Sequence, residues 1–120
     1  MKGHRKETGA KGEEVAAEYL ERNGYRLLSK NYSCRFGEID MVAMDRETLV
    51  FVEVRSCSGE KYGPPEESIT RRKQLKLRQL AWHYLKAEGK TGSSCRFDVI
   101  SVLFGGNGDV KRLEHIENAF

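Results

Sequence analysis

Two period-two runs of apolar and β-branched residues around a short charged break constrain this chain more than any other feature. Gly37-Glu38-Ile39-Asp40 leads into the first run. Asp45-Arg46-Glu47 forms the break, and Thr48-Leu49-Val50-Phe51-Val52-Glu53-Val54-Arg55 forms the second run. Such a pattern reads as an antiparallel hairpin. Side chains alternate across a strand, so Glu38, Asp40, Val42 and Met44 are expected on one face. On the second strand Phe51, Glu53 and Arg55 share a face, and Val50, Val52 and Val54 share the other. A two-residue loop at Arg46-Glu47, or a four-residue loop from Asp45 to Thr48, sets Asp40 opposite Glu53 and Glu38 opposite Arg55. A three-residue loop would shift that pairing by one residue.

Carboxylates opposed on one sheet face repel each other, with Cβ atoms roughly 4.5–5.5 Å apart. Either one of them holds a proton or a positive group offsets the repulsion. Arg55 is the simple candidate, as an ion-pair partner, and the pattern by itself favours it. A divalent cation is the other, because Mg²⁺ commonly binds one or two carboxylates and keeps waters that substrate phosphate displaces.

The remainder fits one small domain over residues 1–120. With 38% hydrophobic and 32% charged residues, the chain suits a single modest core. No apolar run reaches the roughly 18 residues of a membrane span. The N-terminus is basic but no apolar segment follows it, which excludes a secretory signal. Cys34, Cys57 and Cys95 lack zinc-ligand spacing and fit reduced thiols in the cytoplasm. The net charge of +3 gives only a weak pull toward polyanions.

Residues 1–8 read as a flexible basic tail. A helix follows to about Asn23, with Thr8 as one N-cap candidate and Gly24 as the stop. Its apolar stripe is Val15, Ala16, Tyr19 and Leu20. Glu13 lies on the rim of that stripe, whereas Glu14, Glu18 and Glu21 face away. A first strand spans Tyr25 to about Tyr32, ahead of the hairpin. Ser56 to Pro65 reads as a loop, and a second helix starts near Pro65 or Ser68, with Glu66 and Glu67 in its first turn. Its buried stripe is Ile69, Leu77, Leu80, Ala81 and Tyr84. Lys73 falls in the middle of that stripe, where an apolar residue is expected; it either snorkels outward or meets an anion beneath the helix. Arg71, Arg72, Lys76 and Arg78 form a basic surface able to follow a phosphate backbone. Arg96 to Phe104 and Val110 to Ile116 complete the order α-β-β-β-α-β-β, an α/β sandwich with a mixed sheet.

Glu13 on a first helix, Asp40 on a strand, and Glu53-Val54-Arg55 on the next strand resemble the restriction-endonuclease-like superfamily, with its helical acid, Asp and Glu-x-Lys. More narrowly, the chain resembles the YraN family, close in type to archaeal Holliday-junction resolvases. The segments that carry this are Gly12-Glu13 with Ala16, Tyr19 and Leu20, then Gly24-Tyr25, Gly37-Glu38-Ile39-Asp40, Val52-Glu53-Val54, Lys73 and Phe97-Asp98-Val99. They span roughly residues 9–103. The resemblance implies a restriction-endonuclease-like core, a mixed sheet of about five strands sandwiched by helices. It implies a catalytic set of Glu13, Asp40, Glu53, Arg55 and Lys73. Asp40, Glu53 and the Val54 carbonyl would hold Mg²⁺ or Mn²⁺, and Glu13 would act through water. Lys73 would touch a phosphate, and Glu38 would support the ligands from behind.

The departure is Arg55, where the superfamily has lysine. Arginine stays protonated and cannot serve as a general base, though it can stabilise phosphate charge. The leading reading is therefore a metal-dependent nuclease acting on DNA, with branched or damaged forms among its candidate substrates, in preference to RNA. The second is a nucleic-acid-binding module of the same fold, using Arg71, Arg72 and Lys76. An interaction protein without a nucleic-acid role is the third. A homodimer fits the resemblance to resolvases.

Overall fold

The computed structural model describes residues 2–58 and 69–120, with the backbone alone over 2–8. Helix α1 spans Lys2–Arg22. Strands β1 (Arg26–Cys34), β2 (Gly37–Asp45) and β3 (Thr48–Ser58) follow. Helix α2 spans Arg71–Ala87, and β4 (Cys95–Phe104) and β5 (Val110–Ile116) close the chain. The order along the sheet is β1-β2-β3-β4-β5. Only β3 and β4 run parallel, and α2 lies in the connection between them, as a parallel crossover requires.

Each face of the sheet carries one helix. Leu77, Leu80, Ala81 and Tyr84 of α2 pack on Val42, Leu49, Phe51 and Phe97. Ala16, Ala17 and Leu20 of α1 pack on Met41, Val50, Val52, Ile100 and Val102. The alternation along β3 thus sends successive residues into two separate cores. This five-stranded mixed sheet between two helices has the architecture of a restriction-endonuclease-like core.

Three sequence expectations need correction. Helix α1 begins at Lys2, so the basic tail is helical in its backbone and Thr8 lies inside the helix rather than capping it. The Lys, Arg and Glu residues around Gly3 and Gly9 are good enough helix formers to carry the helix through both glycines. Strand β3 continues through Ser56–Ser58, because β4 offers Val102, Leu103 and Phe104 as partners there. Helix α2 begins at Arg71, with Thr70 as its N-cap, its hydroxyl accepting from the Lys73 amide at 3.1 Å. Pro65, Glu66, Glu67 and Ser68 lie outside the described residues.

Candidate active site

The hairpin turns through two residues, since Asp45 pairs with Thr48, and Arg46 takes φ 57°. That turn sets the register that points Asp40 toward Glu53. The ladder, however, ends at Met41–Val52. On the other side of β2, pairing steps from Lys30–Met41 to Tyr32–Ile39, passing over Asn31 and Asp40. Asn31 takes φ 54° there. The alternation of β2 breaks at the same place. Ile39 joins Val42 in the α2-side core, so Glu38, Asp40, Val42 and Met44 do not share one regular face. Glu38 pairs across to Ser33 instead of sitting opposite Arg55 in a ladder.

This irregularity puts the Asp40 carboxylate in the gap between β2 and β3. Its Oδ2 accepts from the Val54 amide at 2.8 Å, where a partner-strand carbonyl would otherwise continue the sheet. A side-chain hydrogen bond joins it to Glu53, and the charge of Glu13 also reaches it. Burial pushes the Asp40 carboxyl up, the neighbouring Glu53 charge pushes it further, and the Val54 amide only partly offsets both. The result is a group raised to about 7. Near neutrality Asp40 is therefore about half protonated, with the Glu53 carboxylate hydrogen-bonded beside it.

Glu53 is 8% exposed and is one of few buried charged residues among those described. Its Oε2 meets Lys73 Nζ at 2.9 Å. The lysine in the middle of an apolar helix stripe thus reaches under α2 to an anion. Its own side chain remains 47% exposed, so it also borders solvent.

Gly12 explains how Glu13 comes near. The backbone of α1 passes so close to β3 that a Cβ at Gly12 would overlap Ser56 Oγ. Only glycine permits that approach, and Glu13 follows directly as a partly buried residue. Glu14, Glu18 and Glu21 are exposed on the outer side, as the stripe predicts. Arg55 lies two residues beyond Glu53 on β3 and is half-buried. Val54 contributes its amide to Asp40. On α2, Arg72 and Lys76 line the same pocket as Lys73, together with Glu38, whereas Arg71 is not among the lining residues. Arg78 turns toward β4, with its guanidinium 5.1 Å from the Phe97 ring centre.

The oxygen-only donor set and the displaceable proton suit a hard cation. Among the described residues, however, no three or more Asp, Glu, His or Cys side chains approach closely enough to enclose one. Asp40 and Glu53 form the close pair, and Glu13 acts on it through its charge.

A family model described as uncharacterised protein family UPF0102 matches residues 12–102. The chain belongs to that family. It is 62% identical over 120 residues to a UPF0102 protein of Pelotomaculum thermopropionicum, with both chains fully covered. It is 48% identical to one of Desulforamulus reducens, covering 99% of each chain. A UPF0102 protein of Geobacter metallireducens is 44% identical, over 100% of this chain and 97% of that one. The matched span runs from Gly12, at the helix crossing, to Val102 in β4. It includes Glu13, Asp40, Glu53 and Lys73.

A second polar cluster was not assembled by sequence reasoning. Asp98 is 0% exposed and accepts from Arg96 Nε at 3.0 Å, His115 Nε2 at 2.7 Å and the Asn118 amide at 3.0 Å. His115 Nδ1 meets Tyr19 OH at 2.9 Å. Arg96 also reaches Asp45 at 2.9 Å and Tyr25 OH at 2.7 Å. Burial alone would push Asp98 up, but His115, Arg96 and the Asn118 amide outweigh it and hold the carboxyl below its ordinary value. The signal for this cluster was Asp98 itself, an acid inside the buried run Phe97-Asp98-Val99-Ile100, which must find donors.

Proposed function

We propose that this chain hydrolyses phosphodiester bonds in nucleic acid, DNA in preference to RNA, with the help of Mg²⁺ or Mn²⁺. The observation that carries the reading is the close Asp40–Glu53 pair, with the Asp40 carboxyl raised to about 7 beside Glu13, and Lys73 joining Glu53 to a basic pocket. Asp40 and Glu53 would hold the cation, with the Val54 carbonyl beside them and Glu13 reaching it through water. A cation so held supplies a nucleophilic water near neutral pH and neutralises charge on the phosphate. The chain's own residues do the rest. Asp40 gives up its proton as the site loads. Lys73 leaves Glu53 for a phosphate oxygen and so positions the strand. Arg55 faces the growing negative charge as a fixed cation, since it cannot take a proton. Branched or damaged DNA is the substrate form favoured by the resemblance to junction resolvases, and a homodimer is the matching assembly.

The test is cleavage of branched, nicked and single-stranded DNA by the purified protein with Mn²⁺. Loss of cleavage in both Asp40→Ala and Glu53→Ala supports the site. Cleavage that survives both places the chemistry elsewhere.

One observation favours a second reading, a binding module without hydrolysis. Lys73 already neutralises Glu53, as a resident ammonium in the place of a metal. Under that reading nucleic-acid affinity falls with salt, and thermal melting does not respond to Mg²⁺.

A further inference from the structure

A pocket of about 340 Å³ opens between the start of β2 and the first turns of α2. That lies at the small end of ligand sites, which hold roughly 300–1,000 Å³. Leu77 and Leu80, 4% and 2% exposed, form its apolar floor. The exposed cations Arg72, Lys73 and Lys76 line it on the helix side. Gly37, at φ 136°, lines it on the strand side, and a Cβ there would stand 3.5 Å from Lys76 Cε and 3.6 Å from a Leu80 methyl. The absence of a side chain at this position keeps the wall open above the floor.

Thr70 and Glu38 complete the wall, and Glu38 is an exposed carboxylate with no ion pair to any described residue. A site for phosphate alone has no use for Glu38, which repels the anion the three cations attract. An apolar floor is equally wasted on phosphate. Both features fit a nucleobase. The ring covers the leucines, its phosphates lie against Arg72, Lys73 and Lys76, and Glu38 accepts from an exocyclic amino group. Carboxylates accept from the cytosine amino group in this way, whereas thymine offers no such donor. A base inside a stacked duplex cannot enter, so the occupant is unpaired.

We infer that this pocket receives one unpaired, amino-bearing base of a single-stranded segment, with cytosine preferred over thymine, next to the phosphate that Lys73 contacts. This rests on the nucleic-acid reading above and adds to it the strand form and the base preference.

The test uses the full chain in EDTA, where no cleavage occurs, and follows its backbone amides by NMR. The titrants are single-stranded dC tetranucleotide, dT tetranucleotide and an abasic tetranucleotide of equal charge. The expected result is movement of the Gly37, Glu38, Thr70 and Leu80 amides, with the dC form binding about fivefold more tightly than the dT form, the low end for one good base contact. The abasic form binds more weakly than either. Glu38→Ala, at an exposed position, should bring dC affinity to the dT level without weakening dT. Equal affinity for all three ligands, or movement confined to amides away from the pocket, overturns the base pocket while the nucleic-acid reading stands. Binding of none overturns both.

Discussion

Two aspartates on inner strands of one sheet, Asp40 half-buried and Asp98 fully buried, meet opposite electrostatic fates. Asp98 receives donors from Arg96, His115 and the Asn118 amide, and its carboxyl is held below the ordinary range. Asp40 receives one backbone donor and faces two further carboxylates, and its carboxyl is raised to about 7. Burial opposes ionisation in both. The difference lies in the partners. A fully satisfied buried acid ties elements together, here α1, β2, β4 and β5 through Tyr19, Asp45, Arg96 and His115. An acid facing acids leaves a proton near its tipping point, which is the condition for exchanging that proton for a cation or a substrate.

The largest expected effect breaks the first member of the comparison. Arg96→Met leaves Asp98 buried with a main donor lost, and urea unfolding should show a loss of about 3–5 kcal/mol. Asp98 also sets an acid limit. Its lowered carboxyl contributes stability above about pH 4, and that contribution is lost as pH falls further. Asp98→Asn should flatten that acid arm in thermal melts. A smaller effect, about 1–3 kcal/mol, is expected for Lys73→Met, which strips Glu53 of its counter-charge. The same variant should gain more thermal stability from Mn²⁺ than the parent does, because the ammonium no longer competes for Glu53.

Asp40→Asn sharpens the contrast, because its sign is reversed. A carboxyl raised in the folded state binds its proton more tightly there than in the unfolded chain. Stability therefore falls as pH rises from about 4 to about 7 and stays low above. The substitution should raise stability near pH 8 by about 1–2 kcal/mol and remove that slope, as read by melts across the range. The smallest effects concern the helix surface. Arg72→Ala and Lys76→Ala should each reduce the slope of log affinity for single-stranded DNA against log salt by about 0.7. Arg71→Ala, at a position outside the pocket lining, should leave it unchanged.

The hairpin and the α2 stripe were legible because each rests on local periodicity, whereas the two-residue turn was one of several loop lengths the sequence allowed. Lys73 was legible as a violation of that periodicity, but not that Glu53 is the anion it meets. The strand break was not. Nothing in the alternation around Asp40 announces that Asn31 takes a left-handed turn of the backbone beside it, yet this break moves Ile39 into the core and Asp40 into the sheet gap. Gly12 stood out only within the family resemblance, since the physical need for glycine comes from Ser56, far away in the chain. The Arg96–Asp98 cluster joins residues from Tyr19 to Glu117, and no local pattern in the sequence brings them together. Local patterns carried the elements, and the site depended on where those patterns fail.

At the centre stands Asp40, half protonated near neutrality beside Glu53, surrendering that proton to a hard cation. Calorimetric titration of the full chain with Mn²⁺ near pH 7, run in two buffers of different ionisation enthalpy, measures this directly. Binding should release about half a proton in the parent, as a group titrating near 7 requires, and none in Asp40→Asn. Binding without proton release, or no Mn²⁺ binding at all, would contradict the account.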